Sequence, residues 1–151
     1  VLTVKHGRSA APPHRLTRGG DTLAIKIFVD QGHNPSGPNT GAEGGGLLEQ
    51  DVTYAVGVYL ADLLRADPRF EVRLSRTSPE EILGTSNATS LAERVRLANE
   101  WPADYFISIH CNANVNPAVN GTECMLSGKY TGVLAGAACA RRHCCACRHT
   151  R

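Results

Sequence analysis

The chain has 151 residues, 42% of them hydrophobic, and a formal net charge of +2 at pH 7, which suits one globular domain with a single sizeable core. The average hides a segregation: residues 23–126 carry 7 Lys and Arg against 13 Asp and Glu, a balance of −6, while the two ends together carry +8. An acidic centre with basic ends excludes a nucleic-acid reader, whose positive charge belongs on the folded surface, and no apolar run of about 18 residues is present to span a membrane.

Residues 1–22 are basic, contain Pro12-Pro13 and show no period, so they read as a disordered or non-native leader. They lack the apolar central stretch of a signal peptide, and a first residue of Val fits a fragment. The first strand is predicted over residues 24–30, where Ile25, Ile27, Phe28 and Val29 describe a strand buried on both faces. It runs into Gln31-Gly32-His33 and a loop, residues 31–46, with six glycines and two prolines, which cannot be regular structure. Glu49 opens a helix whose apolar stripe is Val52, Val56, Tyr59, Leu60 and Leu63, closed by Asp67-Pro68.

Residues 71–75 alternate polar and apolar, as an edge or half-buried strand does. Ser90 and Glu93 have capping-box spacing, and the helix they start is expected to bury Leu91, Val95 and Ala98 and to end before Pro102. Residues 105–109 form a strong strand ending in His110, and residues 122–126 one more. Strands alternating with helices imply crossover connections, hence an α/β fold with a mainly parallel sheet flanked by helices. The six cysteines do not form a disulfide framework: Cys111 and Cys124 belong to strand segments, and Cys139, Cys144, Cys145 and Cys147 crowd into the last 13 residues.

Two strands therefore end in histidine. A single histidine is more often a hydrogen-bonded loop residue than a ligand. In an open α/β sheet, however, sites form at the carboxyl ends of the strands. Parallel strands bring His33 and His110 to that edge, and a helix following a strand begins there, which adds Glu49. Two neutral imidazoles and one carboxylate match a catalytic zinc site with an open position for water, where the metal lowers the pKa of water and polarises a carbonyl.

The segments "FVDQGHNP", "GLLEQD", "LSRT", "LAERVRLAN", "ADYFISIHCNAN" and "NGTECM" occur in the order that resembles zinc-dependent N-acetylmuramoyl-L-alanine amidases, over residues 24–130. The resemblance implies an amidase α/β fold with one Zn2+ held by His33, Glu49 and His110 at the carboxyl ends of the strands. It implies hydrolysis of the amide between N-acetylmuramic acid and L-alanine in peptidoglycan, by a monomer acting at the bacterial cell wall. Asn112 and Asn114 are candidate substrate-binding residues, or shape the turn after His110. Arg76 and Arg94 read as structural ion pairs or caps, and Glu123 is a weak acid/base candidate.

The resemblance also implies an acid/base glutamate in a late strand before a Glu-x-Gly-Phe-like turn, which no segment after Tyr130 matches. Residues 131–151 form an aberrant Cys/His/Arg-rich tail. His143, Cys144, Cys145, Cys147 and His149 have ligand chemistry but not the paired spacing of a zinc finger, and the composition reads as a GC-rich gene out of frame. The expectation is an incomplete catalytic domain over residues 23–130. Two alternatives stand beside it: a catalytically impaired cell-wall-binding module that retains the zinc site, and a zinc carboxypeptidase-like hydrolase.

Overall fold

The computed structural model describes residues 24–116, 118–119 and 121 with their side chains, and the backbone of residues 2–6, 17–18, 21–22 and 124–127. In chain order the strands are β1 (Leu2–His6), β2 (Thr17–Arg18), β3 (Asp21–Thr22), β4 (Ile25–Gln31), β5 (Glu43–Gly44), β6 (Leu47–Leu48), β7 (Phe70–Leu74), β8 (Tyr105–Ile109) and β9 (Cys124–Ser127). The helices are α1 (Glu49–Arg65), between β6 and β7, and α2 (Asn87–Glu100), between β7 and β8. The main sheet has the order β7-β4-β8-β1-β9. Its centre is parallel, with β4 flanked by β7 and β8 running the same way, and β1 alone pairs antiparallel to β8 before β9 joins parallel to β1. The α/β, mainly parallel fold expected from sequence is the fold observed. Two parts differ: within residues 1–22, expected to lack regular structure, lie β1, β2 and β3, and within the loop over residues 31–46, expected to be irregular, Glu43–Gly44 forms β5 and pairs with β6.

Alternation along β4 sends Ile27 and Val29 to one face and Phe28 to the other. The first face packs against Ala61 of α1 and Val72 of β7. The second packs Phe28 against Ala98 and Trp101, with the Phe28 and Phe106 rings stacked at 5.7 Å between centroids. The two helices therefore cover opposite faces of one sheet. Among the described residues no helix is long and apolar enough to cross a membrane.

Each helix turns inward only part of the stripe its hydrophobic periodicity predicts: Leu60 of α1 packs against the core and Ala98 of α2 is buried, but most of each stripe lies elsewhere. The inward residues of α1 are Gln50, Thr53, Gly57 and Ala61, whereas Val56, Tyr59 and Leu63 are 46%, 67% and 55% exposed. A Cβ at Gly57 would lie 2.4 Å from Gln31 Cγ, so the helix reaches its depth only because glycine faces Gln31 there. In α2 the inward residues are Ser90, Arg94 and Ala98, and Leu91 and Val95 are exposed. The capping box is Ser86 with Thr89, whose hydroxyl accepts the Ser86 N–H, while Ser86 Oγ accepts the Thr89 N–H. Ser90, expected as the cap, is inside the helix and its hydroxyl accepts a hydrogen bond from Asn39 Nδ2 at 3.0 Å.

Candidate metal centre

The parallel ladder pairs Gln31 with Ile109 at the carboxyl ends of β4 and β8. His110 follows immediately on one strand, and Gly32 and His33 on the other. The Gly32 N–H donates to the Ile109 carbonyl at 3.0 Å, extending the ladder one step. A side chain at Gly32 would collide with the His110 ring, whose Cε1 lies 2.5 Å from the ideal Cβ position. His33 then turns back at φ +70°, in the left-handed region that costs a Cβ-bearing residue about 1–2 kcal/mol. Thr53 of α1 holds this turn by donating its hydroxyl hydrogen to the Gly32 carbonyl at 2.7 Å.

Glu49 enters from the first turn of α1, next to the β5–β6 hairpin. Its backbone N–H donates to the Ala42 carbonyl at 2.9 Å, and its Oε2 accepts the Ala42 N–H at 3.0 Å. Its Oε1 accepts the Cys111 N–H at 2.8 Å. The result is a triangle: His33 Nε2 to Glu49 Oε1 3.1 Å, His110 Nδ1 to Glu49 Oε1 3.3 Å, and His110 Nδ1 to His33 Nε2 3.1 Å. The two rings meet edge to face at 87°.

These edges test whether a metal fits. Ligands at about 2.0–2.1 Å from a tetrahedral zinc are about 3.3–3.4 Å apart, and two imidazoles with one carboxylate are a zinc donor set. The observed edges fall within a few tenths of an ångström of that figure, so His33, Glu49 and His110 could hold a metal ion without rearrangement.

The surroundings put each ligand in its binding form. His33 Nδ1 lies 3.2 Å from the Asn39 carbonyl, an acceptor only, so Nδ1 carries the hydrogen and Nε2 presents its lone pair to the triangle. Burial would raise the Glu49 pKa, but the N–H donors of Ala42 and Cys111 and the two imidazoles outweigh it and hold the carboxyl below its ordinary value. Burial, then the neighbouring His33, pushes the His110 imidazole down and favours its neutral form.

The sequence-predicted triad is thus brought together. Asn112 and Asn114 stand exposed on the loop after β8, and Asn114 Oδ1 accepts the Asn116 N–H at 2.8 Å, a turn-shaping contact. Glu123 and the tail lie outside the described residues. Arg94 and Arg76 are both buried; Arg94 forms the expected ion pair, whereas Arg76 has no carboxylate partner among the described residues. Arg94 pairs with Asp30 at 2.7 Å, and Arg76 stacks over Tyr54 and donates to the Gln50 carbonyl. Sequence reasoning missed Asp30, Asn39, Gly41 and Ser108 as supports. The available signal was Asp30: a carboxylate in a strand buried on both faces needs a partner.

The chain is similar to N-acetylmuramoyl-L-alanine amidase CwlM of Bacillus licheniformis, with 41% identity over 90 residues, 59% of this chain and 32% of the relative. The germination-specific N-acetylmuramoyl-L-alanine amidase of Bacillus subtilis is 39% identical over 110 residues, 69% of this chain and 46% of the relative. The crystal structure of N-acetylmuramoyl-L-alanine amidase from Clostridium difficile 630 superposes with a TM-score of 0.55 at 32% identity, covering 66% of this chain and 50% of that one. The chain thus spans half or less of the length of these relatives. The sequence profile of the N-acetylmuramoyl-L-alanine amidases matches residues 27–143, beyond Tyr130 and into the stretch that the motifs alone set apart. On that match over most of its length, the chain belongs to the N-acetylmuramoyl-L-alanine amidase family.

Proposed function

We propose that this chain is the zinc-binding part of a peptidoglycan amidase that cleaves the amide between N-acetylmuramic acid and L-alanine at the bacterial cell wall. The observation that carries the reading is the triangle of His33 Nε2, Glu49 Oε1 and His110 Nδ1, with edges of 3.1–3.3 Å at the carboxyl ends of two parallel strands. Zinc bound there would supply water activation and carbonyl polarisation near neutral pH. The chain's own contribution is orientation. Asn39 fixes the His33 tautomer, the Ala42 and Cys111 N–H groups fix both carboxylate oxygens of Glu49, and burial keeps His110 neutral. Asn112 and Asn114, on the exposed loop directly after His110, are the proposed substrate contacts.

Amide cleavage also needs a proton delivered to the leaving nitrogen, a role worth about 10²- to 10⁴-fold. Among the described residues the buried carboxylates are Asp30 and Glu49. Asp30 is committed to Arg94 and Ser108, and Glu49 to the triangle. That observation favours a second reading for the chain as it stands: a cell-wall-binding module that retains the metal centre but turns over weakly.

The test is incubation of the zinc-loaded chain with purified peptidoglycan. New L-alanine amino ends that disappear in His33→Ala support the amidase. Co-sedimentation with the wall without release supports the binding module. Release of a carboxyl-terminal amino acid instead would point to carboxypeptidase-like chemistry and overturn both.

A further inference from the structure

We infer that the buried Arg94–Asp30 pair positions the metal centre: Arg94 sets the left-handed turn at His33, and Asp30 ties that turn to the strand that carries His110. The inference rests on the reading of His33, Glu49 and His110 as a metal site.

Arg94 belongs to α2, on the sheet face opposite α1, yet its guanidinium reaches the end of β4. One terminal nitrogen donates to Asp30 Oδ1 at 2.7 Å, to the Gln31 carbonyl at 2.6 Å and to Ser75 Oγ at 3.3 Å. The other donates to the His33 carbonyl at 2.7 Å and to Asn34 Oδ1 at 3.1 Å. A planar fork imposes fixed directions on its acceptors. The carbonyls of Gln31 and His33 can both meet it only if the chain reverses between them, at Gly32 and His33, where φ is +70° for a non-glycine residue. Asp30 extends the device sideways. Its second oxygen accepts the Ser108 hydroxyl at 2.7 Å, and Ser108 stands two residues before His110 on β8. One guanidinium and one carboxylate therefore bind the backbone of the first ligand to the strand of the third.

Position explains this arrangement better than stability does. Arg94 and Asp30 are 2% and 4% exposed, and a buried ion pair is often no more stabilising than well-packed apolar side chains of similar volume. Arg94 Nε is buried without a hydrogen-bond partner, so the side chain leaves one polar group unsatisfied while placing its other nitrogens on the ligand turn.

The experiment measures zinc affinity of the whole chain by competition with a chromophoric chelator, well below each variant's melting temperature. The visible spectrum of the Co2+-loaded protein serves as a second readout. Arg94→Lys keeps the charge but not the fork, and Ser108→Ala removes the link to β8 without stranding a charge. Ala98→Gly, on the same helix but packed against Phe28, is the control for a purely structural loss. We expect wild type to bind zinc tightly, Arg94→Lys to bind about 10–100-fold more weakly, and Ser108→Ala several-fold more weakly. The Co2+ bands should be altered in both, and Ala98→Gly should keep affinity and spectrum despite a lower melting temperature. Wild-type affinity in both network variants overturns the inference. So does a loss no greater than that of Ala98→Gly. An Arg94→Lys that does not fold, beside a Ser108→Ala with unchanged affinity, assigns the pair to stability alone and also overturns it. Failure of wild type to bind zinc refutes the metal-centre reading itself, a separate result.

Discussion

Gly41 offers the most direct test of how tightly the centre is built. A Cβ placed on it would lie 2.6 Å from Glu49 Cβ, 2.9 Å from His33 Cδ2 and 3.0 Å from Glu49 Cγ. Carbon atoms in good contact are about 3.5 Å apart or more, so two ligands are approached about 0.6–0.9 Å too closely. Neither can retreat cheaply. Glu49 is held through Ala42 and Cys111, His33 through Asn39, and the Gly41 N–H itself donates to Gln50 Oε1 at 3.1 Å. Gly41→Ala should therefore cost the metal-free chain about 1–3 kcal/mol by overpacking.

The metal should feel the substitution more sharply, because a workable site holds its distances to about ±0.2 Å. We expect zinc affinity to fall about 10–100-fold, on the scale of lost outer-shell support, or about 1.4–2.7 kcal/mol. Gly44→Ala is the matched control, since a Cβ there meets nothing within 4 Å. Chelator competition on both variants decides the matter, with urea titration of the metal-free forms beside it. A Gly41→Ala protein that binds zinc as tightly as Gly44→Ala would refute the close-packed account of the centre.

Three further outcomes are expected. His33→Ala and His110→Ala should each abolish stoichiometric zinc binding, whereas His143→Ala should leave it unchanged, as read by metal analysis of the purified proteins. Stability of the metal-free chain should fall on acidification, because His110 and Glu49 both have native pKa values below their ordinary ones and the unfolded chain takes up each proton first. The His110 share is present above about pH 6.5 and lost below it, and the Glu49 share is lost below about pH 4.5. A melting temperature that rises between pH 7 and pH 5.5 would contradict the sign. Thr53→Val removes the hydroxyl on the Gly32 carbonyl and should cost about 1 kcal/mol or somewhat more in urea unfolding.

The parts of the fold legible in the sequence were those governed by apolar burial of the backbone. β4 and β8 announced themselves through Ile27, Phe28 and Val29 and through Phe106, Ile107 and Ile109, and their parallel pairing followed from the crossovers. The triad was legible because its members lie where such strands and helices begin and end. The inward faces of the helices were legible only in part, at Leu60 and Ala98. In α1 Leu60 of the apolar stripe packs against the core, but Val56, Tyr59 and Leu63 are exposed, and the buried side is Gln50, Thr53, Gly57 and Ala61. In α2 a charged residue, Arg94, is buried while Leu91 is exposed. Hydrophobic periodicity reports which side chains avoid water when nothing else satisfies them. It is blind to polar groups buried because partners from distant segments satisfy them, as Asp30, Ser75 and two backbone carbonyls do for Arg94. The misplaced cap has the same cause, since the Ser90 hydroxyl is taken by Asn39, and the N-terminal position goes to Ser86.

β4 shows why the polar groups gather where they do. Along seven residues its chemistry changes from Ile27, Phe28 and Val29 to Asp30 and Gln31, although all five are buried. Apolar contact is non-directional and scales with area, which serves the middle of a sheet, where close packing is the requirement. It does little to select one backbone conformation of a turn or one tautomer of a ring. Hydrogen bonds and a buried ion pair are directional and fail when misaligned. Carried to the carboxyl end of the strand, they can hold His33 in a disfavoured conformation and keep three electron-rich atoms 3.1–3.3 Å apart. The directional contacts that hold those atoms lie outside the triangle: the Asp30–Arg94 pair on the α2 side of the sheet, Thr53 on the α1 side, the Ala42 N–H on Glu49, and the Asn39 carbonyl behind His33. Burial in the strand's last two positions thus serves geometry, and hydrophobic stability is left to the three residues before them.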